Sequence, residues 1–172
     1  MKVDSGGVTL DVEVHGDAHE GRPPILLIHG FPDTKRLWTK QVGPLVDAGY
    51  QVVTYDQRGY GASDKPAEVD AYSVVFLAMD AVAVLDHLKI ERAHVVGHDW
   101  GAFTGWATAA FAPDRVDHLD LHGWNPRRLA GFRPSNRALR TSLDDDHGSV
   151  FRHVLDESAR RLLGVARPSQ GS

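Results

Sequence analysis

The chain has 172 residues, enough for one domain with a hydrophobic core, and its 42% hydrophobic and 24% charged residues are ordinary for a globular protein. A formal net charge of −4 argues against nucleic acid as a partner, and the absence of cysteine excludes disulfides and thiolate chemistry. The opening MKVDSGGVTL has no apolar leader, and the longest strongly apolar run, Ile25–Ile28, is too short to span a bilayer; a cytoplasmic protein without membrane attachment is expected.

In chain order, Gly6-Gly7 marks a hairpin turn, and Val8, Leu10, Val12 and Val14 alternate with polar residues as in a half-buried strand. Pro23-Pro24 leads into Ile25–Ile28, a run suited to a strand buried on both faces, which stops at His29-Gly30-Phe31-Pro32. Leu37–Ala48 reads as a helix ended by Gly49, and Gln51–Tyr55 as the next strand. Residues 56–66 form a loop dense in Gly, Ser, Asp and Pro. The apolar residues Val74, Leu77, Ala78, Ala81, Leu85 and Leu88 share one face of a helix over Ser73–Leu88. A buried strand at Ala93–Val96 then runs into Gly97-His98-Asp99-Trp100-Gly101, followed by a helix of small residues over Ala102–Phe111 and a strand at Val116–Leu121. Short apolar strands alternating with helices imply crossover units and an α/β fold with a mostly parallel sheet, helices on both faces.

The composition changes near Asn125-Pro126. Residues 1–126 carry 10 Lys+Arg and 18 Asp+Glu, whereas residues 127–172 carry 9 Arg, no Lys and 5 Asp+Glu. We therefore expect a partial core over residues 1–124 and an atypical Arg-rich tail over residues 125–172. That tail is expected to be helical (Arg137–Leu143, Val150–Leu163) or disordered. Its loss of period points to translation in a shifted frame or to a divergent truncated paralogue.

Gly97-His98-Asp99-Trp100-Gly101 has the form G-x-nucleophile-x-G between a strand and a helix. A tight turn there needs small residues on both sides, lifts the central side chain to the carboxyl end of the sheet, and aims the next backbone N–H at a developing oxyanion. The central residue is Asp99, and a carboxylate needs no base to attack. It displaces a leaving group from saturated carbon, forming an ester that water, activated by a base, must hydrolyse. The competing reading is a strand-end Asp that caps the following helix. His29-Gly30-Phe31-Pro32 is positioned to supply a second oxyanion N–H from Phe31, with a cis bond permitted at Phe31-Pro32; the competing reading is a plain turn. Gly59-x-Gly61 lacks the third glycine and the helix of a dinucleotide site, and Arg58 and Asp56 are expected to brace that loop beside the Gly97–Gly101 turn, the nucleophile elbow.

Together, HGFP at His29–Pro32, DQRGYGASDKP at Asp56–Pro66 and VVGHDWGA at Val95–Ala102 resemble the soluble epoxide hydrolases of the α/β-hydrolase superfamily over about residues 8–121. The resemblance implies Asp99 as nucleophile, Phe31 and Trp100 as oxyanion-hole amides, and His29, Gly30, Pro32, Gly97, His98 and Gly101 as supporting motif residues. It implies a small apolar epoxide as substrate, a vicinal diol as product, and no cofactor or metal. Haloalkane and haloacid dehalogenases are the alternative. Haloalkane dehalogenases share His-Asp-Trp-Gly but usually carry Asn where Phe31 stands, and fluoroacetate dehalogenases favour Arg where Trp100 stands.

The resemblance also implies two lid tyrosines, an acid and a base histidine later in the chain. All four tyrosines (Tyr50, Tyr55, Tyr60, Tyr72) precede the elbow, and the position of a dehalogenase acid falls near Gly123. His118 and His122 share one face of a strand and read as ordinary polar residues; His147, after Asp144-Asp145-Asp146, reads as a solvated turn. An inactive form, or a non-catalytic fragment, is therefore expected.

Overall fold

The structure, a computed structural model, describes residues 1–123. The expected tail helices and His147 lie outside the described residues.

Six strands form one sheet: β1 (Lys2–Ser5), β2 (Val8–His15), β3 (Ile25–Ile28), β4 (Val52–Asp56), β5 (Ala93–His98) and β6 (Val116–His122), in the order β1-β2-β4-β3-β5-β6. The β1/β2 hairpin turns at Gly6-Gly7, both at positive φ, and β1/β2 and β2/β4 pair antiparallel. The β4/β3, β3/β5 and β5/β6 pairs are parallel. Among the described residues β6 pairs only with β5.

The apolar run of β3 is explained by what covers it. Leu26 and Ile28 face a core with Val53, Tyr55, Val84, Leu85 and Val95, under the helices α2 (Val74–His87) and α3 (Trp100–Phe111). Ile25 and Leu27 face the other side, against Trp38, Leu45, Val52 and Val96, under the helix α1 (Thr39–Asp47). A strand with cover on both faces has no polar face to show, which is why its sequence does not alternate. A 3-10 turn at Lys35–Trp38 leads into α1, so the helix begins two residues later than the apolar period implied. In the other direction, β5 and β6 run beyond their apolar residues to His98 and His122, and α3 starts at Trp100.

Small residues let α3 lie close to the sheet. A Cβ on Gly105 would stand 3.3 Å from Val95 Cγ1 and 3.5 Å from Leu119 Cδ1. Among the described residues no helix is long and apolar enough to cross a membrane, and no group of three or more His, Asp or Glu is placed to hold a metal ion.

Candidate active site

Asp99 stands at the carboxyl end of β5, at φ 55° and ψ −120°. A non-glycine residue there is strained, on the order of 1–3 kcal/mol, and persists only where its surroundings hold it. Those surroundings are close-packed. A Cβ on Gly97 would overlap the Gly101 carbonyl oxygen, and one on Gly101 would overlap the carbonyl oxygens of Ile28 and His29. A Cβ on Gly30 would come within 2.6 Å of Asp99 Cβ. Three glycines thus let β3, β5 and α3 converge on one turn. The Asp99 N–H donates to the His122 carbonyl oxygen at 2.8 Å, tying the turn to the end of β6.

Although Asp99 precedes α3, its carboxylate makes no capping hydrogen bond. Instead the Phe31 N–H donates to Asp99 Oδ1 at 3.2 Å, and the Phe31-Pro32 bond is cis. The helix ladder opens with the Ala102 and Phe103 amides on the Asp99 carbonyl oxygen, at 3.0 and 3.4 Å. Trp100 N–H comes before that ladder, as the first amides of a helix do. Phe31 and Trp100, the two residues next to this turn, are 64% and 58% exposed, so apolar surface lies beside the carboxylate.

His29 is fully buried beneath this turn. Its Nε2 accepts the Gln57 N–H at 3.0 Å, and its Nδ1 lies 2.9 Å from the Gly30 carbonyl oxygen, which assigns the proton to Nδ1. Burial pushes the imidazole below its ordinary 6.5, against the Gly30 hydrogen bond and the Asp56 and Asp33 charges. Tyr60 packs edge-on against His29, ring centroids 5.1 Å apart, and burial together with the Asp99 charge raises its phenol above the usual range. His98 is exposed at the end of β5, and a Cβ on Gly123 would lie 3.8 Å from its Nε2.

Asp56 and Arg58, both expected to brace the loop beside the elbow, have different partners. Asp56 holds the loop, taking the Lys35 N–H on Oδ1 and the Ala62 N–H on Oδ2, each at 2.9 Å. Arg58 turns the other way, into a two-pronged pair with Asp80 of α2 at 2.6 Å for each contact, and donates to the Ala71 carbonyl oxygen at 2.7 Å. Both carboxylates are buried, and each has a cation: Asp56 takes its two backbone donors with the Lys35 ammonium 3.7 Å away, which leaves Arg58 to Asp80.

The site also holds residues that the sequence reading passed over. Gln57, inside the quoted loop motif, spans from His29 to Thr104 of α3: its Nε2 donates to the His29 carbonyl oxygen at 2.6 Å and its Oε1 accepts from Thr104 Oγ1 at 2.8 Å. The signal for Thr104 was a hydroxyl among small apolar residues, one helical turn after Trp100. On β6, His122 Nε2 lies 3.4 Å from Asp120 Oδ1, so this histidine has an acidic neighbour that its spacing from His118 did not reveal.

A family profile described as alpha/beta hydrolase fold matches residues 23–145. The chain belongs to the alpha/beta hydrolase fold family. The match continues past the change in composition at Asn125. Similar curated proteins include an AB hydrolase superfamily protein, YfhM, of Bacillus subtilis, 42% identical over 117 residues, which are 68% of this chain and 40% of that protein. Epoxide hydrolase A of Mycobacterium tuberculosis is 45% identical over 114 residues, 66% of this chain and 35% of the relative. The crystal structure of epoxide hydrolase A from Mycobacterium thermoresistibile superposes with a TM-score of 0.66 at 40% identity, covering 70% of this chain and 37% of that one. The chain thus spans well under half the length of these alpha/beta hydrolases.

Proposed function

We propose that Asp99 is a nucleophile that becomes alkylated and that the site opens small apolar epoxides. The observation that carries this is the Phe31 N–H on Asp99 Oδ1, in a strained turn where the carboxylate caps nothing. Similarity to proteins named epoxide hydrolase supports the choice of substrate. With Oδ1 held by Phe31, Oδ2 is the oxygen left to attack. It forms a bond to one epoxide carbon while that carbon's bond to the ring oxygen breaks, and the resulting alkoxide takes a proton from solvent water. The product is a hydroxyalkyl ester on Asp99. Hydrolysis adds water at Cγ, places the negative charge on the oxygen held by the Phe31 amide, with the Trp100 amide as the proposed second donor, and releases a vicinal diol. The exposed Phe31 and Trp100 rings supply an apolar surface for the substrate.

Hydrolysis of the ester requires a base beside Cγ, and His29 does not serve. It is buried, and its two ring nitrogens are taken by the Gln57 N–H and the Gly30 carbonyl oxygen. The tyrosines near the elbow reduce to Tyr60: Tyr55 is buried in the core, and Tyr72 donates to the Pro66 carbonyl oxygen at 2.8 Å. Tyr50 packs near His94 at the opposite end of the sheet. On the described residues we therefore expect alkylation to outrun hydrolysis. Incubation with styrene oxide, followed by intact-mass and diol measurement, tests both halves. One adduct equivalent that is lost in Asp99→Ala is the expected result. Diol formation over many turnovers would refute the stalled ester, and no adduct in folded protein would refute the nucleophile. Alkylation by a haloalkane and not by an epoxide would move the reading to a dehalogenase.

A further inference from the structure

We infer that Gln57 is a positioning residue that fixes the Phe31 amide relative to the first turn of α3. Its consequence for rate rests on the reading of Asp99 as nucleophile; its placement rests on geometry. Phe31 and Trp100 belong to segments about 70 residues apart, so nothing local sets the spacing of their amides. The Gln57 side chain bridges the two segments, beside the direct bond from the Phe31 N–H to Asp99. Gln57 is 3% exposed and is the first residue past β4. Its Nε2 donates to the carbonyl oxygen of His29, two residues before Phe31, and its backbone N–H donates to the His29 ring. On the other side its Oε1 accepts from Thr104, whose hydroxyl also lies 3.2 Å from the Trp100 carbonyl oxygen. His29 and Thr104 are both fully buried.

The position demands an amide. Its partners are a carbonyl oxygen on one side and a hydroxyl on the other, so the side chain must donate to the first while accepting from the second. Glutamate has no donor for His29 when ionised, lysine has no acceptor for Thr104, and methionine has neither. In a dry interior each missing partner also leaves a buried polar group unsatisfied. The close contact between Gly101 and the end of β3 seats α3 against the sheet. The Gln57 bridge adds a directional, hydrogen-bonded tie between the His29–Phe31 strand end and α3.

Labelled full-length chain tests this by NMR and by alkylation. In the unaltered protein, a coupling through the hydrogen bond from Gln57 Nε2 to the His29 carbonyl carbon is expected, and its absence would overturn the inference whatever the variants do. Thr104→Val is expected to move the Phe31 amide proton, which Thr104 does not touch, whereas Thr104→Ser keeps the hydroxyl and leaves it in place. Gln57→Met should move the same amide. Alkylation of Asp99 by styrene oxide should slow roughly tenfold in Gln57→Met and in Thr104→Val, less than the hundredfold or more that follows outright loss of an oxyanion donor. The double variant should be no slower than the slower single one. A Phe31 amide unmoved in both folded variants, or rate losses that multiply in the double variant, would show that Gln57 only fills space. If the unaltered chain takes no adduct, the nucleophile reading fails, and the coupling and amide shifts still decide the placement of Gln57.

Discussion

The backbone N–H of Phe31 reaches across 68 residues of sequence to the Asp99 carboxylate, at 3.2 Å. That one bond joins the end of β3 to the end of β5, and it explains why a carboxylate beside a helix start is not used as a cap. The glycines around it are part of the same device, because the two strand ends and α3 meet with no room for a Cβ.

Gly101→Ala is therefore expected to cost about 3 kcal/mol or more, since the added methyl meets two backbone carbonyls that cannot rotate away. Gly105→Ala, on the same helix, meets only the ends of Val95 and Leu119 side chains at 3.3 and 3.5 Å and gains about 1 kcal/mol of helix propensity. It should stay within about 1 kcal/mol of the parent. Urea midpoints of the two variants check the contrast; equal losses would mean that the turn tolerates displacement.

Arg58 and Asp80 are 4% and 1% exposed as side chains, and the Asp80 carboxylate raises the Arg58 guanidinium above its usual value, against the opposing effect of burial. Removing one partner strands a buried charge, so Asp80→Ala should lose about 3–5 kcal/mol. Replacing both, with Arg58→Met and Asp80→Leu together, should lose less than either single change, because no charge is then left alone. A double variant as damaged as the sum of the singles would show that the pair contributes through its hydrogen bonds and not through mutual neutralisation.

His29 gives stability a dependence on acid. The unfolded chain takes up a proton near the ordinary 6.5, whereas burial holds the folded ring neutral to lower pH. Between those two values the unfolded state binds more protons, so this contribution is complete above 6.5 and shrinks as the pH falls toward the folded pKa. The carbon-bound ring proton of His29 should titrate below 6.5 by NMR. A His29 signal that titrates at or above 6.5 would remove both this contribution and the neutral tautomer that accepts from Gln57.

Much of this arrangement is readable from the residues. The apolar run of β3, the helical period of α2 and the glycine pair around Asp99 each have one dominant cause, and that cause is local. The partners of Arg58, Gln57 and Lys35 are not local. Asp80 lies 22 residues from Arg58, and Thr104 lies 47 from Gln57. A polar residue in a loop motif announces that it is bonded without announcing to what. The helix starts were also displaced, because backbone groups near Lys35 and Trp100 are set by Asp56 and by the elbow and not by side-chain period. His122 was read by its spacing to His118, yet its acidic neighbour is Asp120, two residues away on the same face of the strand.

Lys35 carries the last consequence. Its side chain is 9% exposed and its ammonium contacts Asp11, Glu13 at 3.2 Å and Asp56 at 3.7 Å, while its backbone N–H donates to Asp56. It follows the Phe31 loop directly, so it ties that loop to β2 and β4. Burial alone would raise the Asp11 carboxyl and lower the Lys35 ammonium. The opposite charges outweigh burial in both, holding Asp11 below its ordinary 3.8 and Lys35 above its ordinary 10.5. Lys35→Met should cost about 1–3 kcal/mol near neutral pH, between the values for exposed and buried pairs. The Asp11 part of that difference is present above 3.8 and lost as the pH falls through its lower folded pKa. The Lys35 part is present below 10.5 and lost as the pH rises through its higher folded pKa. The gap in stability between parent and Lys35→Met should therefore be widest at mid-range pH and close toward both extremes in urea unfolding. A gap that does not vary with pH would show that Lys35 contributes by packing its alkyl stem and not by its charge.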